Sequence, residues 1–383
     1  MVFFFLTACL EPGKDGVGDY TRRLASACAQ QKHECHLLAL NDHQITEPVE
    51  RTETVDGHSL SILRLPSTMN WQQRIERACA FRLQHPPDRI SLQVVSYGFS
   101  PRGIVRGLAS HLAPIIADTS LQLMFHELWI GIGRCIPLKE RLVGKVQRHY
   151  LRQLVRQLRP RWVNTSNPYY LSLLDGLSSQ ASLLPLFGNI PVQAGEASVL
   201  LPEPLVSMGW DREESFHHLN GLFFGAIPPP WQPEPFIGIL LAAAQKKACR
   251  PRLISAGRRG RSGEIIWEQM QRDYGDRIDF LTLGELPVST VSTLLQRADF
   301  GVATSPWLLL GKSGSAAAML DHGLPVIVTR DDFQPGFASP RPTDPLLHAC
   351  DAHLEKKLIA GLPKGPVHER LPEIARMFLQ QLA

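Results

Sequence analysis

The chain has 383 residues, more than one hydrophobic core ordinarily supports, so two domains are the starting expectation. With 44% hydrophobic and 20% charged residues it has the composition of a soluble globular protein, and no run is long and apolar enough to span a bilayer. A formal charge of +4 is small for this size and does not imply nucleic acid, so none is expected as a partner.

The opening run from Met1 to Leu10 is apolar, and Leu6-Thr7-Ala8-Cys9 superficially matches the pattern ahead of a lipidated cysteine. No Lys or Arg precedes it, however, and a glycine turn follows at once, as after a buried first strand; a cytoplasmic location is the expectation. The seven cysteines are scattered and form no C-x-x-C pair, which reads as reduced thiols. His33-Glu34-Cys35-His36 reads as the start of a strand with alternating faces rather than as a metal site, and no metal is expected.

Short apolar runs alternate with segments of helical period, the pattern of a doubly wound α/β sheet. Val2 to Cys9 is predicted as the first strand, Gly13 to Gly18 as a glycine-rich turn, Asp19 to Gln31 as a helix and Cys35 to Leu40 as the second strand. Strands are predicted at Leu60 to Leu63, Ile90 to Ser96, Leu121 to Phe125, Trp162 to Asn164 and Leu183 to Phe187, with helices near Trp71 to Leu83, Gly103 to Leu112 and Leu138 to Leu158. Gly188 to His218 has no clear period and reads as a linker. The alternation then resumes with strands at Leu222 to Gly225, Arg252 to Ala256, Ile278 to Leu283, Phe300 to Thr304 and Pro325 to Thr329. The intervening helices are Pro235 to Lys247, Glu264 to Arg272, Val288 to Arg297 and Ser315 to His322. From Leu346 the tail reads as two helices. The predicted domains are therefore Rossmann-like, at residues 1–195 and 196–355, followed by a helical tail at 356–383 that can pack back on the first domain.

Two loops have the chemistry of phosphate sites. In Pro12 to Tyr20, between a strand and a helix, Gly16, Val17 and Gly18 let backbone N–H groups approach an anion at a helix N-terminus; the alternative is a tight turn without a ligand. Gly311-Lys312-Ser313-Gly314-Ser315-Ala316 offers N–H groups, two hydroxyls and an ammonium ahead of a helix, without Walker-loop spacing; alternatively Ser315 is an N-cap and Lys312 a solvated side chain.

Gly16-Val17-Gly18-Asp19-Tyr20 followed by Leu24-Ala25 and His33-Glu34-Cys35 resembles the opening of GT-B glycosyltransferases of the large retaining group, family four. The resemblance recurs over most of the chain. Leu186-Phe187-Gly188-Asn189-Ile190-Pro191 is similar to their hinge, Leu283-Gly284-Glu285-Leu286 with Leu294-Leu295 and Ala298-Asp299 to the loop and helix beside the nucleotide base, and His322-Gly323-Leu324-Pro325-Val326-Ile327 to the strand behind the donor site. It implies two Rossmann-like domains facing across a cleft. It also implies transfer of a sugar from a nucleotide-diphosphate donor, with UDP the expected nucleotide, to a glycan, lipid-linked or small-molecule hydroxyl acceptor. Retention and metal independence are expected, with no cofactor beyond the donor as co-substrate.

Within the resemblance, Gly16 to Gly18 face the donor diphosphate and Glu285 and Leu286 lie near the base, while Lys312 to Ser315, read from their own chemistry, stand as a diphosphate site where the family's donor motif is missing. His126, at the carboxyl end of a strand, is similar to the histidine that contacts the donor sugar, and Glu127 is placed as a base for the incoming hydroxyl; His126 packing against Trp129 is the alternative. Tyr97 and Asn164 fall on loops that shape the acceptor pocket, or are turn residues. The family's two donor glutamates would fall on Leu310 and Ala318, and its Arg and Lys after the first strand of the second domain are missing from Phe224 to Trp231. Arg258, Arg259 and Arg261 are the nearest cations in sequence, either beside the diphosphate or solvated. A nucleotide-sugar epimerase and a non-catalytic, degenerate binding module are the other readings.

Residues 138–162 are basic, with Lys139, Arg141, Lys145, Arg148, Arg152, Arg156, Arg159 and Arg161 interleaved with Leu142, Val146, Leu151, Leu154, Val155 and Leu158. Such a helix can lie on anionic lipid at the inner face of a membrane. The ordinary reading is an amphipathic surface helix whose apolar side covers the sheet.

Overall fold

The apolar run Phe3-Phe4-Phe5-Leu6 is fully buried in the first strand of a computed structural model that describes residues 1–134, 136–177, 181–193, 202–207, 210, 218–229, 231–337 and 339–383. In chain order the first elements are β1 (Val2–Thr7), α1 (Gly16–Gln30), β2 (Glu34–Asp42), β3 (Val49–Val55), β4 (His58–Pro66), α2 (Trp71–Gln84) and β5 (Arg89–Val94). They are followed by α3 (Ser96–Phe99), α4 (Leu108–Ile116), β6 (Ser120–Phe125), α5 (Leu138–Leu158), β7 (Trp162–Thr165), α6 (Pro168–Leu174) and β8 (Ala181–Leu183). The strands form one sheet in the order β3-β4-β2-β1-β5-β6-β7-β8, parallel except for β3 against β4.

Then come α7 (Glu203–Ser207), β9 (His218–Phe224), α8 (Glu234–Lys247), β10 (Arg250–Ala256), α9 (Gly260–Tyr274), β11 (Asp279–Gly284), α10 (Val288–Arg297) and β12 (Phe300–Pro306). After a 3-10 segment at Trp307–Lys312 follow α11 (Gly314–Asp321), β13 (Val326–Arg330), β14 (Leu347–Ala349), α12 (Leu354–Ala360) and α13 (Leu371–Leu382). Here the sheet is wholly parallel, in the order β11-β10-β9-β12-β13-β14. Parallel strands covered by helices on both faces lose the polar-apolar alternation of a half-exposed sheet, which is why their runs read as continuous apolar stretches.

Two compact units result. One comprises Met1–Leu186, Gln334–Arg341 and Leu371–Ala383, the other Phe187–Phe333 and Pro342–Arg370. In the first, Phe378 of α13 packs on Phe3 and Phe5 of β1, with ring centroids 5.9 and 5.7 Å away. In the second, Phe223 meets Trp231 and Trp267, each at 5.4 Å. The expected boundary at 195/196 lies outside the described residues, as do Cys135 and Pro230.

Some elements differ from the sequence expectation. Helix α1 starts at Gly16, ahead of the expected Asp19, because the Asp15 side chain caps it, accepting from Val17 N–H at 2.9 Å. Strand β3 was not expected; it pairs with β4 through Asp56-Gly57, whose φ values of 44° and 83° suit a two-residue hairpin turn. The tail begins with the three-residue strand β14, paired with β13, before its two helices. Among the described residues no helix is long and apolar enough to cross a membrane.

Candidate functional site

In the second unit the chain runs outward from β9 through β10 to β11 and then returns to the other side of β9 with β12. Such a reversal opens a crevice at the carboxyl ends of the two central strands, where open α/β sheets bind ligands. A cavity of about 180 Å³ lies there, lined by Gly225 after β9, Thr304 and Ser305 of β12, and Ser313, Ser315 and Ala316 at the start of α11. Gly225 has φ +86°, and a Cβ there would come within 2.9 Å of Ser315 Oγ. The helix start and the strand end therefore approach closely only because this residue has no side chain. Ser313 Oγ accepts from Ala316 N–H at 3.3 Å, capping α11, and the rest of the first turn adds the positive end of the helix dipole. N–H groups and hydroxyls at a helix N-terminus suit a phosphate.

Of the residues expected around the diphosphate, Ser313 and Ser315 line this cavity; Lys312 and Gly314 adjoin them in the chain. Leu310 and Ala318 are core residues at 6% and 0% exposure, packed with Leu222, Ile254 and Val326. Arg258 Nε and Glu285 Oε1 form a solvent-exposed ion pair at 2.8 Å, so a residue expected at the diphosphate and one expected at the base are brought together. Leu286 packs beside the same core as Leu310. Arg259 is buried, pairing with Glu264, donating to Ser255 Oγ at 2.8 Å and stacking on Trp267, which makes it a fastening of α9 to β10. Arg261 is exposed in the first turn of α9.

In the first unit Gly16, Val17 and Gly18 form the first turn of α1. A Cβ on Gly18 would lie 2.6 Å from the Cys9 carbonyl oxygen, so this glycine lets the helix pack against the end of β1. The Asp15 carboxylate occupies the N-terminus of the helix; burial raises its pKa against the pull of the Val17 and Gly18 N–H groups. Nearby, the fully buried Asp42 holds Arg64 Nε at 2.8 Å and accepts from Gln44 N–H at 2.9 Å and Leu10 N–H at 3.3 Å. Burial opposes ionisation of Asp42, yet these bonds hold its carboxyl below the usual range. The neighbouring Cys9 thiol is pushed up to about 12, chiefly by burial.

His126 follows β6, 6% exposed, with Nε2 2.8 Å from Gln93 Oε1 and the Tyr20 ring edge-on at 4.8 Å. Burial lowers its pKa to about 3, so it is neutral at pH 7. Glu127 is its half-buried neighbour. Tyr97 lies in α3, its hydroxyl accepting from Gln147 Nε2 of α5 at 3.1 Å; Gln147 also donates to Arg102 O and accepts from Ile130 N–H, tying two loops to α5. Asn164 is 1% exposed and hydrogen-bonded beneath α13 to Gln122, Ser182 and Gln381. Sequence reasoning passed over these partners; the alternation of Ser91 with Gln93 and the lone Gln122 in otherwise apolar strands is the signal that marks them.

Helix α5 buries Gly144, Gln147, Leu151 and Leu154, but Leu138, Leu142 and Val146 stand 71%, 54% and 41% exposed at spacings of four residues. At the amino-terminal end of β2, inside the first sheet, Glu34, His36 and His85 come together, with His36 Nε2 3.0 Å from Glu34 Oε1. The two imidazole rings stack at 4.1 Å with planes only 29° apart, so their in-plane lone pairs do not converge on one ion.

No family model and no curated protein matches the chain. Solved structures do. The catalytic domain of starch synthase IV from Arabidopsis thaliana, bound to ADP and acarbose, is similar with a TM-score of 0.58 and 12% identity, over 98% of this chain and 95% of that one. HepE of Anabaena in complex with UDP-glucose matches at TM-score 0.58 and 12% identity, over 100% and 99% of the two chains. UDP-GlcNAc 2-epimerase from Neisseria meningitidis, bound to UDP-GlcNAc, matches at 0.52 and 8%, over 100% and 99%. At these identities the likeness shows the fold: two Rossmann-like, parallel-sheet domains and a C-terminal helix, as in GT-B structures.

Proposed function

We propose that the chain is a glycosyltransferase that binds the diphosphate of a nucleotide sugar at the start of α11 and moves the sugar to a hydroxyl acceptor. The cavity at the β9/β12 reversal, with Ser313 and Ser315 on one wall and Gly225 on the other, carries this reading. Backbone N–H groups, the two hydroxyls and Lys312 stabilise the departing diphosphate, and Arg258 and Arg261 supply further positive charge. The first unit binds the acceptor, with His126 on the donor sugar, Glu127 as the base for the hydroxyl, and Tyr97 shaping the pocket. Holding both substrates in line provides most of the acceleration. UDP is the first nucleotide to test, since the HepE structure contains UDP-glucose.

The test is a panel of UDP-, GDP- and ADP-sugars with candidate acceptors, following thermal shift, nucleotide release and glycosylated product. Stabilisation by one nucleotide at millimolar concentration marks binding, because a ligand selective for the folded state raises its stability. No shift with any nucleotide or nucleotide sugar defeats the reading.

A second reading has one observation in its favour. Leu310 and Ala318, where the resemblance calls for donor carboxylates, belong to the hydrophobic core and cannot hold sugar hydroxyls. Binding without transfer would then appear as stabilisation with no product, and epimerisation as an altered sugar on the nucleotide.

Helix α5 fits the surface of an anionic membrane. Its three exposed aliphatic residues are interleaved with Lys139, Arg141 and Lys145, with Arg152 and Arg156 further along the helix, and this charge complements acidic headgroups while the aliphatic row enters the interface.

A further inference from the structure

An unbroken line of side chains crosses the first sheet from His126 to the C-terminal helix. His126 Nε2 lies 2.8 Å from Gln93 Oε1, Gln93 Nε2 2.6 Å from Ser91 Oγ, and Ser91 Oγ 2.6 Å from Gln122 Oε1. Gln122 Nε2 then lies 2.8 Å from Asn164 Oδ1, and Asn164 Nδ2 2.7 Å from Gln381 Oε1 on α13. Ser91, Gln93, Gln122 and Asn164 are at most 1% exposed, so no solvent is at hand to satisfy an amide turned the wrong way.

The direction of the line is set at its far end. A backbone carbonyl can only accept, and Asn164 Nδ2 reaches Ser182 O at 3.4 Å while Gln381 Nε2 reaches Leu183 O at 3.3 Å. Both amides are therefore turned with NH₂ toward β8, which leaves Asn164 Oδ1 to accept from Gln122 Nε2. Gln122 Oε1 must then accept the Ser91 hydroxyl proton, so Ser91 Oγ accepts from Gln93 Nε2. What faces His126 is the Gln93 carbonyl oxygen, and only a protonated Nε2 can answer it.

We propose that this line is a relay that fixes the tautomer of His126, placing the proton on Nε2 and the lone pair on Nδ1, so that the ligand group His126 recognises is a hydrogen-bond donor such as a sugar hydroxyl. Ser91, Gln122, Asn164 and Gln381 are positioning residues that act through Gln93. The identity of the hydroxyl as a sugar's rests on the glycosyltransferase reading; the tautomer does not.

The test is a long-range ¹H–¹⁵N correlation of the full chain labelled with ¹⁵N-histidine, with His126 assigned by its loss in His126→Gln. At pH 7 the wild type is expected to show a pyrrole-type Nε2 and a pyridine-type Nδ1. Ser91→Ala removes the hydroxyl that holds Gln93, whose amide can then turn, and a second tautomer should appear; Ser91→Thr restores the hydroxyl and the single tautomer. A wild type with protonated Nδ1, or a folded Ser91→Ala protein with an unchanged His126 signature, overturns the proposal, and the wild-type spectrum decides alone if the variant does not fold. Calorimetry with UDP-glucose is the separate arm. Ser91→Ala should weaken binding about fivefold, the effect of one misplaced hydrogen bond, with Ser91→Thr close to wild type. A tautomer that moves as expected in a protein that binds no nucleotide sugar upholds the relay and defeats the glycosyltransferase reading.

Discussion

Asp321, fully buried at the end of α11, is ion-paired with Arg370, the last residue of the second unit before α13. The other carboxylate oxygen accepts from Gly188 N–H at 2.8 Å, Arg370 also donates to Ala317 O at 3.0 Å, and His368 N–H donates to Asp321 O at 2.8 Å. One carboxylate thus fastens to α11 two of the four chain segments at which the chain passes from one unit to the other, just after Leu186 and just before Leu371. A helix held so firmly at one end is a rigid mount for Ser313 and Ser315 at the other.

Asp321→Ala leaves Arg370 partly buried and Gly188 N–H without its acceptor. The expected cost is about 2–3 kcal/mol, at the lower end for a broken buried pair because Arg370 is partly exposed and can rehydrate. Urea unfolding of wild type and variant measures it; a difference below about 0.5 kcal/mol, the range of an ordinary surface change, contradicts the clamp.

Gly225→Ala tests the cavity. The substitution forces a side chain to φ +86° and sets its Cβ 2.9 Å from Ser315 Oγ, inside the space assigned to the diphosphate. Folding stability should fall by about 1–2 kcal/mol from backbone strain, and binding of the nucleotide identified in the panel should be lost at concentrations that saturate the wild type. Unchanged nucleotide affinity would remove the cavity from the site.

The doubly wound pattern was legible because buried parallel strands leave apolar runs such as Phe3 to Leu6 and Leu253 to Ile254, and because helices between them carry a different period. Other features were hidden for specific reasons. The β3/β4 hairpin carried its signal in Asp56-Gly57, but β3 reads Val-Glu-Arg-Thr-Glu-Thr-Val, too polar to register as a sheet strand. Strand β14 has three residues, fewer than any periodicity can show. At the candidate site Ser313 and Ser315 were legible because small residues and hydroxyls ahead of a helix point to an anion. The Asp42–Arg64 pair and the amide line to His126 were not, since each joins residues whose proximity only the strand order creates; the Asp15 cap, a contact two residues along the chain, was masked by the glycines that follow it.

Acid titration should reveal the buried His126. Its folded pKa, about 3, lies below the ordinary 6.5, so between these values the unfolded chain binds the extra proton. The stability it contributes is present above pH 6.5 and is lost as pH falls toward 3. Replacing His126 with Gln removes that proton from the balance, and the wild type should lose stability more steeply over this window by up to about 1.4 kcal/mol per pH unit. Asp42 and other depressed groups add slope to both proteins alike, so the difference isolates His126. Parallel curves between pH 6.5 and 4 would mean that the imidazole is not held neutral.

Membrane contact through α5 separates into two measurable parts. The aliphatic row Leu138, Leu142 and Val146 is exposed over 71%, 54% and 41% of its surface, so changing all three to Ser removes apolar area of which the folded protein buries only part. Stability should fall by about 1–2 kcal/mol, from lost helix propensity and partial burial, which leaves the protein folded. Co-sedimentation with vesicles containing acidic phospholipid should fall sharply in this variant and should be weak for the wild type on purely zwitterionic vesicles. Changing Arg141 and Lys145 to Gln should cost about 1 kcal/mol per charge, roughly thirtyfold in partitioning for the pair. Salt should mimic the charge change but not the aliphatic one, because screening weakens attraction between exposed charges and leaves apolar insertion intact. Equal sedimentation with acidic and zwitterionic vesicles, or no response to either set of substitutions, would leave α5 as a surface helix with an uncovered apolar row.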